Sequence, residues 1–428
     1  MNLNHEEDLK EDLATKKLRC PLQSEIVIHA SEIQDVTEEA ILNKKSISKI
    51  VCHTSFATNE KLKCACDMLS LAIVKKNPVV VRLVDFASAP HFVFDDLFNA
   101  FTKQFECFGK NDQLRAFEIT MRYWEISPGK KPSGLYDNME RLCELFSKLP
   151  MFEKLVISHV TGAKCESYTK GIDSISMIKN LKVLDMSRAY FKSDNLPCVF
   201  LEQLETFSIN NATISLKHLS QISDFVEKSK TLVKLNISYL IFLFKEEPRD
   251  VLEATWENLI SSLEKNQTLK TLRCDLIMIP FNTSQKIFQT LLKNKIRKLF
   301  IHQLAELSDA FKDLKTLLLL RDDVVRIEVT HCIPFQNDRI ANRSVLEDIQ
   351  KILFQNSSVE YVFVVPFHEG IPGEDGEYVT TVHNVLKRNR HNRLQRKNSL
   401  FYQLITSLKV TNLSVDELLS RRQKRLRN

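Results

Sequence analysis

Glycine and proline are scarce, 8 and 12 of 428 residues. So small a share excludes collagen-like and low-complexity chains, and with 43% hydrophobic residues the chain can bury a large core. The glycine shortage also removes the usual nucleotide loops. Neither G-x-x-x-x-G-K-[ST] nor G-x-G-x-x-G occurs, so no such backbone cradle for phosphate is encoded. Long apolar runs are missing too: the longest strongly apolar patch, Tyr239 to Phe244, falls far short of the roughly 18 residues of a membrane span. Met1 to Lys17 is dominated by Asn, Glu, Asp and Lys where a secretory signal would need an apolar stretch. These absences lead us to expect no transmembrane segment and a soluble chain of the cytoplasm, with the nucleus as the second compartment. The ten cysteines are scattered, and in a reducing compartment they are expected to be mostly core residues.

Catalytic and metal-binding patterns are equally thin. Cys64-Ala-Cys66 has no second Cys or His pair at finger-like spacing, and the helical stripe it belongs to assigns Cys66 to the core. His368-Glu369 begins like H-E-x-x-H, but Pro372 stands where the second His belongs, and His331-Cys332 has no further ligand at a suitable spacing. The loop Gly370 to Tyr378 gathers Glu374, Asp375 and Glu377 without the twelve-residue spacing of a calcium loop, and reads as a solvated connection. Nucleophile, base and orienter cannot be assembled. The expectation is a chain that is not an enzyme and has no cofactor, no metal and no small-molecule substrate.

What the chain does contain is a repeat. A short unit, apolar-x-x-apolar-x-apolar, recurs eleven times: Leu114, Phe117, Ile119; Phe152, Leu155, Ile157; Leu181, Leu184, Met186; Leu204, Phe207, Ile209; Leu232, Leu235, Ile237; Leu269, Leu272, Cys274; Ile296, Leu299, Ile301; Val324, Ile327, Val329; and Val359, Val362, Val364, preceded by the weaker Ile47, Ile50, Cys52 and Val81, Val84, Phe86. First positions run from 47 to 359 over ten intervals, a mean near 31 residues, within the range of repeat architectures. Between the units lie helical stripes such as Leu62, Cys66, Leu69, Ile73 and Leu252, Trp256, Leu259, Leu263, and Met139, Leu142, Leu145, Phe146, Leu149. Ser344 to Glu347 has capping-box spacing before Leu346, Ile349, Leu353. Asn77, Asn266, Asn294 and Asn356 close helical segments, where left-handed geometry is favoured.

A short strand followed by a helix cannot bury its apolar face alone. Stacked copies can, with the strands paired in parallel and the helices covering one side. The unit Asn266-Gln-Thr-Leu-Lys-Thr-Leu-Arg-Cys274 resembles the leucine-rich repeat, and the interval resembles its ribonuclease-inhibitor-like class, over roughly residues 40 to 390. The resemblance implies an α/β solenoid, a horseshoe with a parallel concave sheet and convex helices. Residues 1–40 would form an N-terminal cap or flexible segment, 41–390 the solenoid, and 391–428 a capping helix and basic tail. One departure stands out: the position of the family's asparagine ladder holds Ala189, Ala212, Leu240 and Ile277, so irregular turns are expected.

Residues alternating with the core positions would line the concave face. The central strands offer Lys154, Val156, Ser158; Val183, Asp185, Ser187; Thr206, Ser208, Asn210; and Lys234, Asn236, Ser238, with Ser238 expected to tolerate Asp. The last four strands offer candidate partner-binding residues: Arg273, Asp275, Phe300, His302, Arg326, Glu328, Tyr361 and Phe363, mostly of types that anchor interfaces. The alternative is that these aromatics are covered by the chain's own terminal segment. From Lys387 onward 12 Lys and Arg face Asp416 and Glu417, so the net charge of +6 belongs to the tail, which ends in Arg421, Arg422, Lys424, Arg425 and Arg427. Nucleic acid or an anionic membrane is a less favoured partner for that tail than protein. The function expected is non-enzymatic scaffolding, a partner protein being held by the concave face. The alternative is a substrate-recognition subunit of a ubiquitin ligase, although residues 1–46 lack the leucine-proline start and dense Leu/Ile/Trp helices of an F-box.

Overall fold

The structure, a computed structural model, describes residues 25–31, 38–43, 47–54, 58–87, 91–109, 112–122, 135–159, 173–189, 191, 195–242, 249–275, 290, 293–302, 323–324, 326–330 and 361–364. The chain divides into two compact units, Met1–Glu247 and Pro248–Asn428.

The first unit is a parallel sheet of eight strands in sequential order: β1 (Glu25–His29), β2 (Lys49–His53), β3 (Val80–Ala87), β4 (Ala116–Arg122), β5 (Lys154–His159), β6 (Val183–Asp185), β7 (Thr206–Ser208) and β9 (Lys234–Ile237). A short parallel pair, β8 (Thr213–Ile214) and β10 (Ile241–Phe242), lies apart from it. Helices α1 (Glu38–Asn43), α2 (Asn59–Lys76), α3 (His91–Phe108), α4 (Leu135–Lys148) and α5 (Leu216–Lys228) connect the strands. The second unit holds α6 (Arg249–Lys265) and the parallel strands β11 (Thr271–Asp275), β12 (Lys298–His302), β13 (Arg326–Thr330) and β14 (Tyr361–Val364). Both units are therefore α/β with parallel pairing, and the described strands of neither close into a barrel.

Where their side chains are described, the strand units from residue 114 onward are in the core. Leu114, Phe117 and Ile119, Leu181, Leu184 and Met186, and Leu232, Leu235 and Ile237 are all 0–1% exposed. Each full burial of such a side chain contributes about 1.5–3 kcal/mol. The stripe Leu62, Cys66, Leu69 and Ile73 is likewise buried. Between the layers, Phe146 of α4 stacks on Phe152 at 4.3 Å and meets Phe101 of α3 edge-on at 5.5 Å, tying the two helices through rings to the segment that leads into β5.

The fold departs from a uniform repeat in four places. The sheet starts before residue 41, because β1 pairs in register with β2 (Ile26 with Ile50, Ile28 with Cys52) and buries Ile26 and Ile28 at 4% and 0%. In β3 the core residues are Val81 and Leu83, both 0% exposed, and Val84 is only half-buried, since simple alternation governs up to an irregularity between Leu83 and Phe86. The interval from Leu181 to Leu204 is 23 residues, shorter than the mean, and the described part of its connection holds a 3-10 turn, Pro197–Phe200, which takes less chain than an α-helix. Finally, Asn77 does cap α2 in left-handed geometry (φ 47°), but Asn266 and Asn294 work through their side chains. Asn266 Oδ1 accepts the Thr268 and Leu269 N–H groups at 2.9 and 2.8 Å, and Asn294 Oδ1 that of Ile296 at 3.1 Å. Asn356 and the Ser344 capping box lie outside the described residues.

The missing asparagine ladder has a substitute. Arg188, Asn211 and Tyr239 take φ of 62°, 57° and 55°, each just before the buried Ala189, Ala212 or Leu240. Ala189 N–H returns to Met186 O at 3.3 Å and Ala212 N–H to Ile209 O at 3.1 Å, closing tight turns. Main-chain bonds continue from turn to turn, Arg188 N–H to Asn210 O at 2.7 Å and Asn211 N–H to Ser238 O at 2.8 Å. Backbone groups thus satisfy one another where the family pattern would place side-chain amides, and these turns are regular where irregular ones were expected.

Candidate interaction face

The eight candidate residues of the second unit occupy adjoining positions on β11 to β14. One row of register partners is Arg273, Phe300, Glu328 and Phe363. Toward the strand starts lie Lys298, Arg326 and Tyr361, and toward the ends Asp275, His302 and Thr330. Period-two alternation puts these rows on one face, opposite the core positions Leu272, Cys274 and Leu299, which are 0–2% exposed. For Asp275, His302, Glu328, Tyr361 and Phe363 the structure describes the strand position alone.

Phe300 is the centre of the described part. Its ring has the Arg273 guanidinium at 4.0 Å and that of Arg326 at 5.0 Å from its centroid. Guanidinium is weakly hydrated and planar, so it stacks on an aromatic face at little desolvation cost. The ring is only 3% exposed. Arg273 and Arg326 are half-buried, so it is they that reach the surface here. Nearby, Arg297 Nε lies 3.5 Å from Asp323.

The corresponding face of the first unit is of another kind. Charges pair across strands: Glu118 of β4 meets Lys154 of β5 at 2.6 Å and Arg82 of β3 at 3.6 Å. Around β6, β7 and β9 the serines of the expected face are closed, with Ser187, Ser208 and Ser238 at 5%, 6% and 2% exposure, while Asp185, Thr206, Lys234 and Asn236 are half-buried. Ser187 Oγ donates to Asp185 and lies 3.4 Å from Ser208 Oγ. Ser238 is therefore not the exposed position expected, and Asp there is predicted to destabilise. The hydroxyl is short enough to be covered by its neighbours, and the alternation rule does not register that.

The remaining sequence candidates are described only in part. Cys66 is 0% exposed and Cys64 exposed, so the two thiols of Cys64-Ala-Cys66 differ in environment. Burial pushes the thiols of Cys52 and Cys143 up to about 12 and raises those of Cys66 and Cys198 as well, the opposite of an activated nucleophile. Among the described residues no three His, Cys, Asp or Glu side chains are placed to hold a metal ion, and no helix is long and apolar enough to cross a membrane. The basic residues Arg421, Arg422, Lys424, Arg425 and Arg427, the loop 370–378 and the pairs His331-Cys332 and His368-Glu369 carry no described side chains. Residues 1–46 contribute β1 and α1 to what is described.

Sequence reasoning missed the stacked rings of His29 and His53, 4.8 Å apart at the ends of β1 and β2. It also missed the histidine capping box of α5, where Ser215 Oγ accepts the His218 N–H at 3.4 Å and Ser215 N–H reaches His218 Nδ1 at 3.1 Å. The first needed the β1–β2 register. The second had a signal in Ser215-x-x-His218, with His in the place that Glu or Gln normally fills.

No family model and no curated protein sequence matches the chain. Among solved structures, actin-binding site 2 of leiomodin-1 is similar over 44% of this chain and 95% of its own length, at 14% identity and a TM-score of 0.32. A likeness at that level carries no argument about what the chain does.

Proposed function

We propose that the chain is a leucine-rich-repeat solenoid of the ribonuclease-inhibitor-like class and works as a non-enzymatic module that holds a partner protein on the β11 to β14 face. The solenoid reading is supported by repeated parallel strands with buried unit positions, by helical or 3-10 connections, and by three matching left-handed turns at Arg188, Asn211 and Tyr239. The observation that carries the function is the register of β11 to β14, which assembles Arg273, Phe300, Arg326, Tyr361 and Phe363 from four strands into neighbouring rows. Arginine and aromatic residues concentrated in this way are the composition of interface centres. Phe300 serves as the support and the two guanidiniums as the contact groups.

The test is affinity capture from cell lysate with the intact chain and with a variant carrying Arg273→Glu, Tyr361→Ala and Phe363→Ala, circular dichroism being matched between them. Phe300 is left in place because its removal would disturb packing. A partner retained by the intact chain and lost by the folded variant is the expected result. Identical sets of retained proteins would remove this face from consideration.

A further inference from the structure

Where the C-terminal ends of α2 and α3 meet the approach to β4, a buried polar node joins three elements. Gln104 of α3, 1% exposed, donates from Nε2 to Asn77 Oδ1 at 3.0 Å and to Asp112 Oδ1 at 3.1 Å. Asp112, 2% exposed, also accepts the Leu114 N–H on Oδ1 at 2.8 Å, and Asn77 Oδ1 accepts the Gln113 N–H at 3.0 Å. Two oxygens are left over. Among the described residues neither Gln104 Oε1 nor Asp112 Oδ2 has a hydrogen-bond partner, and both are closed off from solvent. Both amide hydrogens of Gln104 are already used, so the node is short of one hydrogen.

The surroundings oppose a negative charge. Asp112 lies just beyond the end of α3, its N–H on Gly109 O at 3.1 Å, and Asn77 is the C-cap of α2, so both helix termini present the negative ends of their dipoles. Of the charged groups on these elements, Lys75, Lys103, Glu106 and Arg115 are exposed, and the Lys76 amine donates to Leu42 O at 2.9 Å. None of them is among the influences on Asp112.

We propose that Asp112 is a neutral carboxylic acid in the folded protein and donates from Oδ2 to Gln104 Oε1, closing an acid–amide pair that locks the ends of α2 and α3 to β4, and that ionisation of this one group loosens the lock. The single proton satisfies both leftover oxygens at once. Burial raises the proton affinity of Asp112, against the opposing pull of the Leu114 N–H and the Gln104 amide. A folded-state pKa above the unfolded one gives stability that is complete below about pH 3.9 and is lost as pH rises through the folded value.

The experiment follows the carbon-13 carboxyl resonance of Asp112 in the full chain, assigned through its own backbone, together with urea unfolding of the wild type and Asp112→Asn from about pH 4 to about pH 8. Asn keeps an oxygen for the Leu114 N–H and offers Gln104 Oε1 an N–H. The expected result is a carboxyl that titrates well above the ordinary aspartate range, with the wild-type folding constant falling against the variant by up to about tenfold per pH unit until that titration is passed. A carboxyl titrating at about 3.9 or below would mean an ionised group met by ordered water, and would overturn the proposal. A wild-type to variant ratio that stays constant with pH would do the same. Should the variant fail to fold, the resonance alone decides.

Discussion

If the two guanidiniums hold Phe300 as described, the ring and Arg273 must be energetically coupled. The perturbation is a cycle of Phe300→Leu, Arg273→Met and the double variant. Leucine keeps most of the apolar burial, so its own packing cost stays below about 1.5 kcal/mol. The loss beyond that is the stacking. A half-buried guanidinium 4.0 Å from the ring centroid contributes about 1–2 kcal/mol, and the one at 5.0 Å contributes less. Phe300→Leu is therefore expected to cost about 2–3 kcal/mol in all. Arg273→Met keeps an apolar stem against the ring but no cation, and the coupling energy of the cycle should be about 1 kcal/mol, roughly fivefold in the folding constant. Urea unfolding followed by circular dichroism measures all four proteins, and equal slopes confirm that the unfolded states are comparable. A coupling below about 0.3 kcal/mol would show that Arg273 does not cover the ring, and the packed-support role of Phe300 would fall with it.

Other consequences can be measured on the same material. Leu235→Asp puts a charge at a position 1% exposed and should cost more than about 4 kcal/mol, while Ser238→Asp, at 2% exposure, should also destabilise by several kcal/mol; a neutral Ser238→Asp would mean the hydroxyl row is open. Asn211→Ala should lose about 1 kcal/mol because alanine resists φ 57°, whereas Asn211→Gly should not; equal losses would point to the side chain and not the backbone. In native-state alkylation read by mass spectrometry, Cys64 and Cys107 should label quickly and Cys52, Cys66, Cys143 and Cys198 slowly, with labelling of the second group at the same rate contradicting the packing.

The fold was legible where one rule dominated. Apolar positions repeating at a near-constant interval identified the strands and the parallel pairing, because no other arrangement buries so many short units. Leu184, Phe207, Leu235 and Leu272 lie where spacing put them. Spacing failed where a second effect intervened. β1 escaped notice because Ile26 and Ile28 stand without the leading apolar residue of the unit. Val84 was misassigned because strand alternation overrode the repeat template in β3. Ser238 was misjudged because a face direction does not fix exposure when the side chain is small. For the candidate face, residue positions were readable and their environment was not. Nothing in the residues 273, 300 and 326 announces that two arginines from flanking strands close on one ring; that requires the register of three strands. The node at Asn77, Gln104 and Asp112 is more remote still, as its members are 27 and 8 residues apart and each alone resembles ordinary polar surface.

The central claim is that the β11 to β14 face meets a protein. It is tested most directly by placing a photo-crosslinking amino acid at position 273 of that face, with a control at the exposed Lys217 of α5, and irradiating each chain in lysate. A defined protein adduct at 273 that is absent at 217 is the predicted result; the same adducts at both positions, or none at 273, would contradict it.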